Sequence, residues 1–237
     1  MIKQGYINKQ IKKTFKIGQT TSFIKQFVFS VVDRALRERY GKDYSMKCLQ
    51  SSYAIQSILS SMGIKSTLYT GGVCFAEVYK NEEIMNWSGF WDKDHHVWLL
   101  TEFREIVDLT ICELHLHPST SRNDVIPIPP LWWNDLDTWP PVIRYLPEGE
   151  ISIMLPEDEM EDLEEFKTSV LNDKDNMIRQ CDINDVKFSP IMEGVKSINI
   201  LTENGNPWLC QCIKFQDMNI PFPTWVQNRI NEYINSK

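Results

Sequence analysis

The feature that most constrains this chain is a change of hydrophobic period at Gly63. Upstream, Phe23, Ile24, Phe27, Val28, Val31, Val32, Ala35 and Leu36 recur at helical spacing. That spacing predicts a helix over 22–40 with one broad buried face, ended by Gly41. A second helix is expected over about 45–62, with Ser45 or Asp43 as its N-cap and Gly63 just past its end. Met46, Leu49, Tyr53, Ile55, Ile58, Leu59 and Met62 supply its apolar stripe. Downstream of Gly63 the runs are short and β-prone. Strands are expected over 65–69 and 73–79, separated by Gly71-Gly72, and, after a polar connection over 81–94, over 96–100 and 105–109 around a tight turn at 101–104. Two helices followed by antiparallel strands form an α+β signature.

The rest of the chain is less regular. The stretch 126–141 holds Pro129-Pro130, Trp132-Trp133 and Trp139-Pro140-Pro141, which excludes regular helix and central strand. It reads as a long covering loop whose tryptophans cap the core, or as a wall that lines a substrate. An acidic-faced helix is expected over 157–171, strands over 198–201 and 208–215, and a terminal helix over 224–234.

Charge and cysteine usage narrow the setting. The net charge is −7, with a basic N-terminus (Lys3, Lys9, Lys12, Lys13, Lys16) and an acidic stretch from Glu157 to Glu165. Nucleic acid as the main partner would need a concentrated basic surface. The basic N-terminus reads instead as a solvated face or arm. No apolar run approaches the roughly 20 residues of a membrane span, and no apolar segment follows the N-terminal lysines as a signal peptide would require. Neither a membrane nor secretion is expected, so the six cysteines, at 48, 74, 112, 181, 210 and 212, are expected as reduced thiols of a cytoplasmic protein.

Among those thiols, Cys48 has the placement that chemistry requires. It falls in the first turn of the second expected helix, near unpaired backbone N–H groups that favour a thiolate and an oxyanion. His96 opens a strand in the run His95-His96-Val97-Trp98, and Asp108 lies on the next strand in Val107-Asp108-Leu109-Thr110. A hairpin with a short turn brings both side chains to one face. By the two-residue period His96, Trp98 and Leu100 share that face, opposite Val97 and Leu99, and His95 points the other way.

The order Cys48, Gly63-Ile64-Lys65-Ser66, His96-Val97-Trp98 and Val107-Asp108-Leu109-Thr110 resembles the transglutaminase-like superfamily of the papain-type fold. In motif style it is closest to bacterial transglutaminase-like cysteine peptidases. The resemblance covers about residues 42–110. It implies a core over 1–120, with a nucleophile helix packed on an antiparallel sheet, and a C-terminal extension over 121–237. It also implies a cysteine-dependent amide hydrolase or acyltransferase with Cys48 as nucleophile, His96 as base and Asp108 as orienting carboxylate. A protein or peptide bearing a reactive amide is the expected substrate, with Trp98, Trp132 and Trp133 as its contacts and no cofactor. No Gln lies between Gly41 and Lys47, so the family's oxyanion glutamine has no counterpart just upstream of Cys48. The alternative is a non-catalytic binding module that keeps the fold. A zinc site at Cys112, His115 and His117, or at Cys210 and Cys212, is the runner-up chemistry, and none of these shows paired Cys-x-x-Cys spacing.

Overall fold

The computed structural model describes residues 4–81, 86–90, 95–118, 124–135, 138–182, 186, 188 and 190–235. The elements are α1 (Gln4–Ile17), α2 (Ser22–Tyr40), α3 (Cys48–Ser61), β1 (Ser66–Glu77), β2 (Asn86–Phe90), β3 (His96–Thr101), β4 (Ile106–Asp108), β5 (Leu131–Trp133), β6 (Ile143–Glu150), α4 (Glu157–Gln180), α5 (Val195–Glu203), α6 (Pro207–Asp217) and α7 (Thr224–Asn235). The fold is α+β: one antiparallel sheet with helices on both faces. No helix is long and apolar enough to cross a membrane among the described residues.

The basic N-terminus is helical, with Ile7 and Thr14 buried and Lys9, Lys12, Lys13 and Lys16 exposed. In α2, the Thr21 hydroxyl accepts from the Ile24 N–H at the start, and the Gly41 N–H donates to Arg37 at the end. The end of α3 is a Schellman turn: the Gly63 N–H donates to Ser60 and the Ile64 N–H to Leu59, each at 2.9 Å. Gly63 takes φ +78° there, a left-handed conformation that glycine adopts without a Cβ penalty.

The start of α3 departs from expectation. Residues Gly41–Met46 form a 3-10 turn, closed by the Lys47 N–H on the Tyr44 carbonyl, and Ser45 is buried inside it with no partner for its hydroxyl. The helix begins at Cys48, with Lys47 as a cap that makes no side-chain hydrogen bond. Cys48 is therefore the first helical residue, two positions nearer the end than a Ser45 cap would put it.

Gly71-Gly72 does not separate two strands. β1 runs through it as one strand of 12 residues. Its first half pairs with β3, its second half with β2, and its middle with β6, while β4 and β5 continue the sheet beyond β3. At Thr70/Gly71 the pairing with β6 shifts register by a bulge. A Cβ on Gly71 would overlap the Leu146 carbonyl oxygen, so glycine here serves close approach of two strands rather than a turn. Two of the six strands among the described residues, β5 and β6, come from beyond residue 120, so one sheet spans both expected parts of the chain.

Alternation along β1, β3 and β4 sorts the core into two layers. Leu68, Val97, Leu99, Val107 and Trp132 face α2, α3 and α4. Val73, Trp98, Ile106, Trp133 and Tyr145 face the other way, against Trp208, Leu209, Cys212 and Phe215. Those last four lie on α6, and Ile198 and Leu201 lie on α5, so the two strands expected over 198–201 and 208–215 are helices instead. Asn206 caps α6 by accepting from the Leu209 N–H, with Pro207 at the first helical position, a pairing that initiates helices. The buried spacing 208, 209, 212, 215 is also helical. α4 runs on to Gln180 because Met177 and Ile178 resume the buried face set by Leu163, Phe166 and Val170. The 126–141 stretch contains only the short edge strand β5, paired with β4; its residues 136–137 lie outside the described residues, as does most of the 81–94 connection.

Candidate active site

β3 and β4 are antiparallel neighbours, with Leu99 opposite Val107 and Leu100 opposite Ile106. Continuing that register places His96, Trp98 and Asp108 on one face. The His96 Nε2 lies 2.6 Å from Asp108 Oδ2, and both side chains are almost completely buried. With Nε2 engaged, Nδ1 is the ring nitrogen left for another partner. The Ser52 hydroxyl donates to the Val97 carbonyl at 3.2 Å, tying the first turns of α3 to the start of β3. Cys48, half-buried at the head of α3, lies near enough to the His96 ring to help raise its pKa. The structure thus brings Cys48, His96 and Asp108 together in that order.

The carboxylate of Asp108 is held from four sides. Beyond His96, the Tyr145 hydroxyl donates to Oδ2 at 2.8 Å, and the Thr110 hydroxyl and the Ile111 N–H donate to Oδ1, each at 3.1 Å. A buried carboxylate needs such donors, because an unpaired one carries a desolvation cost of several kcal/mol. Tyr145 also packs on Trp98, with ring centroids 5.0 Å apart, and Trp98 in turn stacks on His96 at 6.3 Å. Trp98 is thereby a buried support behind the imidazole.

Burial alone pulls the His96 pKa down, but the charge and hydrogen bond of Asp108, with a smaller contribution from Cys48, push it up to about 10. That balance favours the imidazolium at neutral pH. Burial, then the adjacent Asp108 charge, hold the Tyr145 phenol well above its ordinary value, so it stays a donor. At the helix head, the N–H groups of Cys48, Leu49 and Gln50 precede the first intrahelical bond, from Ser51 to Lys47, and Lys47 gives them no side-chain cap. They are free to meet negative charge beside the sulfur.

The remaining residues singled out by sequence sit elsewhere. His95 is half-exposed, with Nε2 3.4 Å from Glu148. The Trp132 indole donates to Glu105 at 3.0 Å and packs on Phe29, and the Trp133 indole donates to the Asp135 and Thr138 carbonyls. Both are completely buried. Cys112 donates its S–H to the Leu109 carbonyl at 3.1 Å, and His117 packs edge-on against Phe90. Cys210 and Cys212 are two positions apart on a helix and so point away from each other. Among the described residues no three His, Cys, Asp or Glu side chains are grouped to hold a metal ion.

Tyr145 is the member of the site that sequence reasoning missed. Nothing near it in the sequence marks it, because it arrives from β6 across the bulged pairing with β1. Thr110 was part of the quoted motif, and its hydroxyl on Asp108 is the role the structure adds. No family model, no curated protein and no solved structure matches this chain.

Proposed function

We propose that this protein is a cysteine-dependent amide hydrolase or acyltransferase of the transglutaminase-like type, acting through Cys48, His96 and Asp108. The observation that carries the reading is the relay itself: a thiol at an uncapped helix N-terminus, beside a buried imidazole whose far nitrogen is held by a carboxylate at 2.6 Å. A protonated ring beside the sulfur is the arrangement in which thiolate–imidazolium pairs form. The Cys48 sulfur attacks an amide carbonyl, and the helix-head N–H groups receive the developing oxyanion. His96 passes its proton to the departing amine as the C–N bond breaks, leaving a thioester on Cys48. Water gives hydrolysis and an amine gives transfer. In either case the neutral ring takes the attacker's proton and the thiolate leaves as it formed. Asp108 keeps the ring oriented and charged, and Tyr145 keeps Asp108 in place.

Brief labelling with iodoacetamide at neutral pH, followed by peptide mass analysis, tests this. Burial raises the thiol pKa values of Cys74 (to about 12), Cys112 and Cys212, so Cys181 and Cys210 are the relevant competitors. Cys48 is expected to label first, and His96→Ala to slow that labelling at least tenfold. Modification of Cys181 or Cys210 with Cys48 untouched removes the nucleophile and leaves the non-catalytic binding module as the better reading.

A further inference from the structure

On β6, Tyr145 points toward the His96–Asp108 pair, and its neighbours Arg144 and Leu146 point to the opposite face. There Leu146 packs with Cys74 and Val226, the latter on α7. Two cavities flank this face and meet at Trp139 and Arg144. One, of about 520 Å3, lies between β6 and α7 and is walled by Leu146, Pro147, Ile230 and Ile234. The other, of about 450 Å3, is walled by Trp87, Pro141 and Phe222. Both volumes are in the range of small-molecule sites; the larger cavity's wall is mostly apolar but also carries Arg229 and Glu232, and the smaller one mixes apolar side chains with Gln216, Asn219 and Gln227.

Arg144 is the charged group at their junction. Its guanidinium lies against Trp139 and Phe222, 5.6 and 5.3 Å from their ring centroids. Nη1 donates to the Ile143 carbonyl at 2.7 Å and to the Pro140 carbonyl at 3.3 Å. Among the described residues no carboxylate pairs with it. The Nε–Nη2 edge, with three N–H donors, has no acceptor there either. The acid on the larger cavity's wall, Glu232, is 3.4 Å from Arg229, and the smaller cavity has no other charged group on its wall. Burial pulls the Arg144 pKa down, as expected of a cation without an anion beside it.

We propose that this face is a binding site for an apolar carboxylic acid, with the carboxylate on the Nε–Nη2 edge of Arg144 and the hydrocarbon between β6 and α7. A single guanidinium edge matches a carboxylate, two parallel N–H···O bonds to two oxygens. With Arg229 and Glu232 paired to each other, the apolar walls of Leu146, Pro147, Ile230 and Ile234 leave a hydrocarbon as the complementary tail. Tyr145 also lines the larger cavity, so the two sites share that residue, but binding here uses neither Cys48 nor His96.

The test is titration of the full chain with dodecanoate below its micelle concentration, followed by calorimetry and by tryptophan fluorescence, since Trp87 and Trp139 are wall residues. Saturable one-to-one binding is expected, with dodecanol and dodecyltrimethylammonium each at least tenfold weaker and acetate undetectable. Arg144→Gln should bring dodecanoate to the level of dodecanol. The ligand series on the unmodified chain decides the question even if Arg144→Gln fails to fold. No saturable dodecanoate binding, equal binding of dodecanol, or undiminished binding by folded Arg144→Gln would each overturn the proposal.

Discussion

Replacing Asp108 with Asn should convert His96 from a group that titrates in the alkaline range into one that titrates below its ordinary value. The ring is almost completely buried, and burial by itself disfavours the imidazolium. Asp108 supplies the main opposing contributions, which carry the pKa from 6.5 to about 10. Asparagine keeps the shape and removes the charge. The sign follows directly. The folded-state pKa is raised, so the stabilisation is fully present below pH 6.5 and is lost as the pH rises through about 10. At about 1.4 kcal/mol per pKa unit, that interval amounts to on the order of 5 kcal/mol. Between those limits the unfolding free energy of the unmodified protein should fall with a slope approaching one proton. In Asp108→Asn that slope should vanish between about pH 6.5 and 8, below the range where the buried thiols add a slope of their own. Imidazole carbon–proton NMR across pH 5–11 gives the ring pKa, and urea unfolding at matched pH values gives the slope. A His96 ring that titrates near 6.5 in the unmodified protein would refute the reasoning, as would a slope between about pH 6.5 and 8 that survives in Asp108→Asn.

Two further substitutions probe the frame around the site. Gly71→Ala places a Cβ against the Leu146 carbonyl oxygen, with the Glu148 N–H and the Pro147 Cα also crowding it; since these are backbone atoms, a loss at or above the upper end of the roughly 1–3 kcal/mol for overpacking is expected in chemical denaturation, and a loss below about 0.5 kcal/mol would show that the bulge relaxes freely. Glu105→Ala strands the Thr20 N–H and hydroxyl, the Thr101 hydroxyl and the Trp132 indole, all of which donate to this buried carboxylate; on the order of 3–5 kcal/mol should be lost, and an unchanged denaturation midpoint would contradict that account.

How much of this was legible in the sequence depended on how far each signal reached along the chain. The period of α2 was continuous and could be read directly, as could the short loop between β3 and β4 that sets His96 beside Asp108. The start of α3 was misplaced because Asp43 and Ser45 look like caps, whereas a 3-10 turn buries Ser45 and hands the helix start to Cys48. Gly71-Gly72 looked like a break because a glycine pair does not reveal whether it permits a turn or the approach of a second strand. In the C-terminal part, the residues after Asn206-Pro207 look β-prone, and it is the Asn206 cap and the buried spacing 208, 209, 212 and 215 that mark a helix. Tyr145 was not legible at all. Its place depends on a strand pairing between distant segments, and a single sequence carries no mark of such a partner.

The unbroken course of β1 has a consequence for how the molecule comes into being. Val73 pairs with Tyr145, far along the chain, so as β1 leaves the ribosome one of its edges stays bare until β6 has been made. A bare edge next to Val73, Cys74 and Phe75 is a template for pairing with other chains. Closure waits on a long loop, whose entropy must be spent before any of the contacts form. The last of the contacts on Asp108 to arrive is then the Tyr145 hydroxyl, so this buried carboxylate is completed only after more than half of the chain has been synthesised.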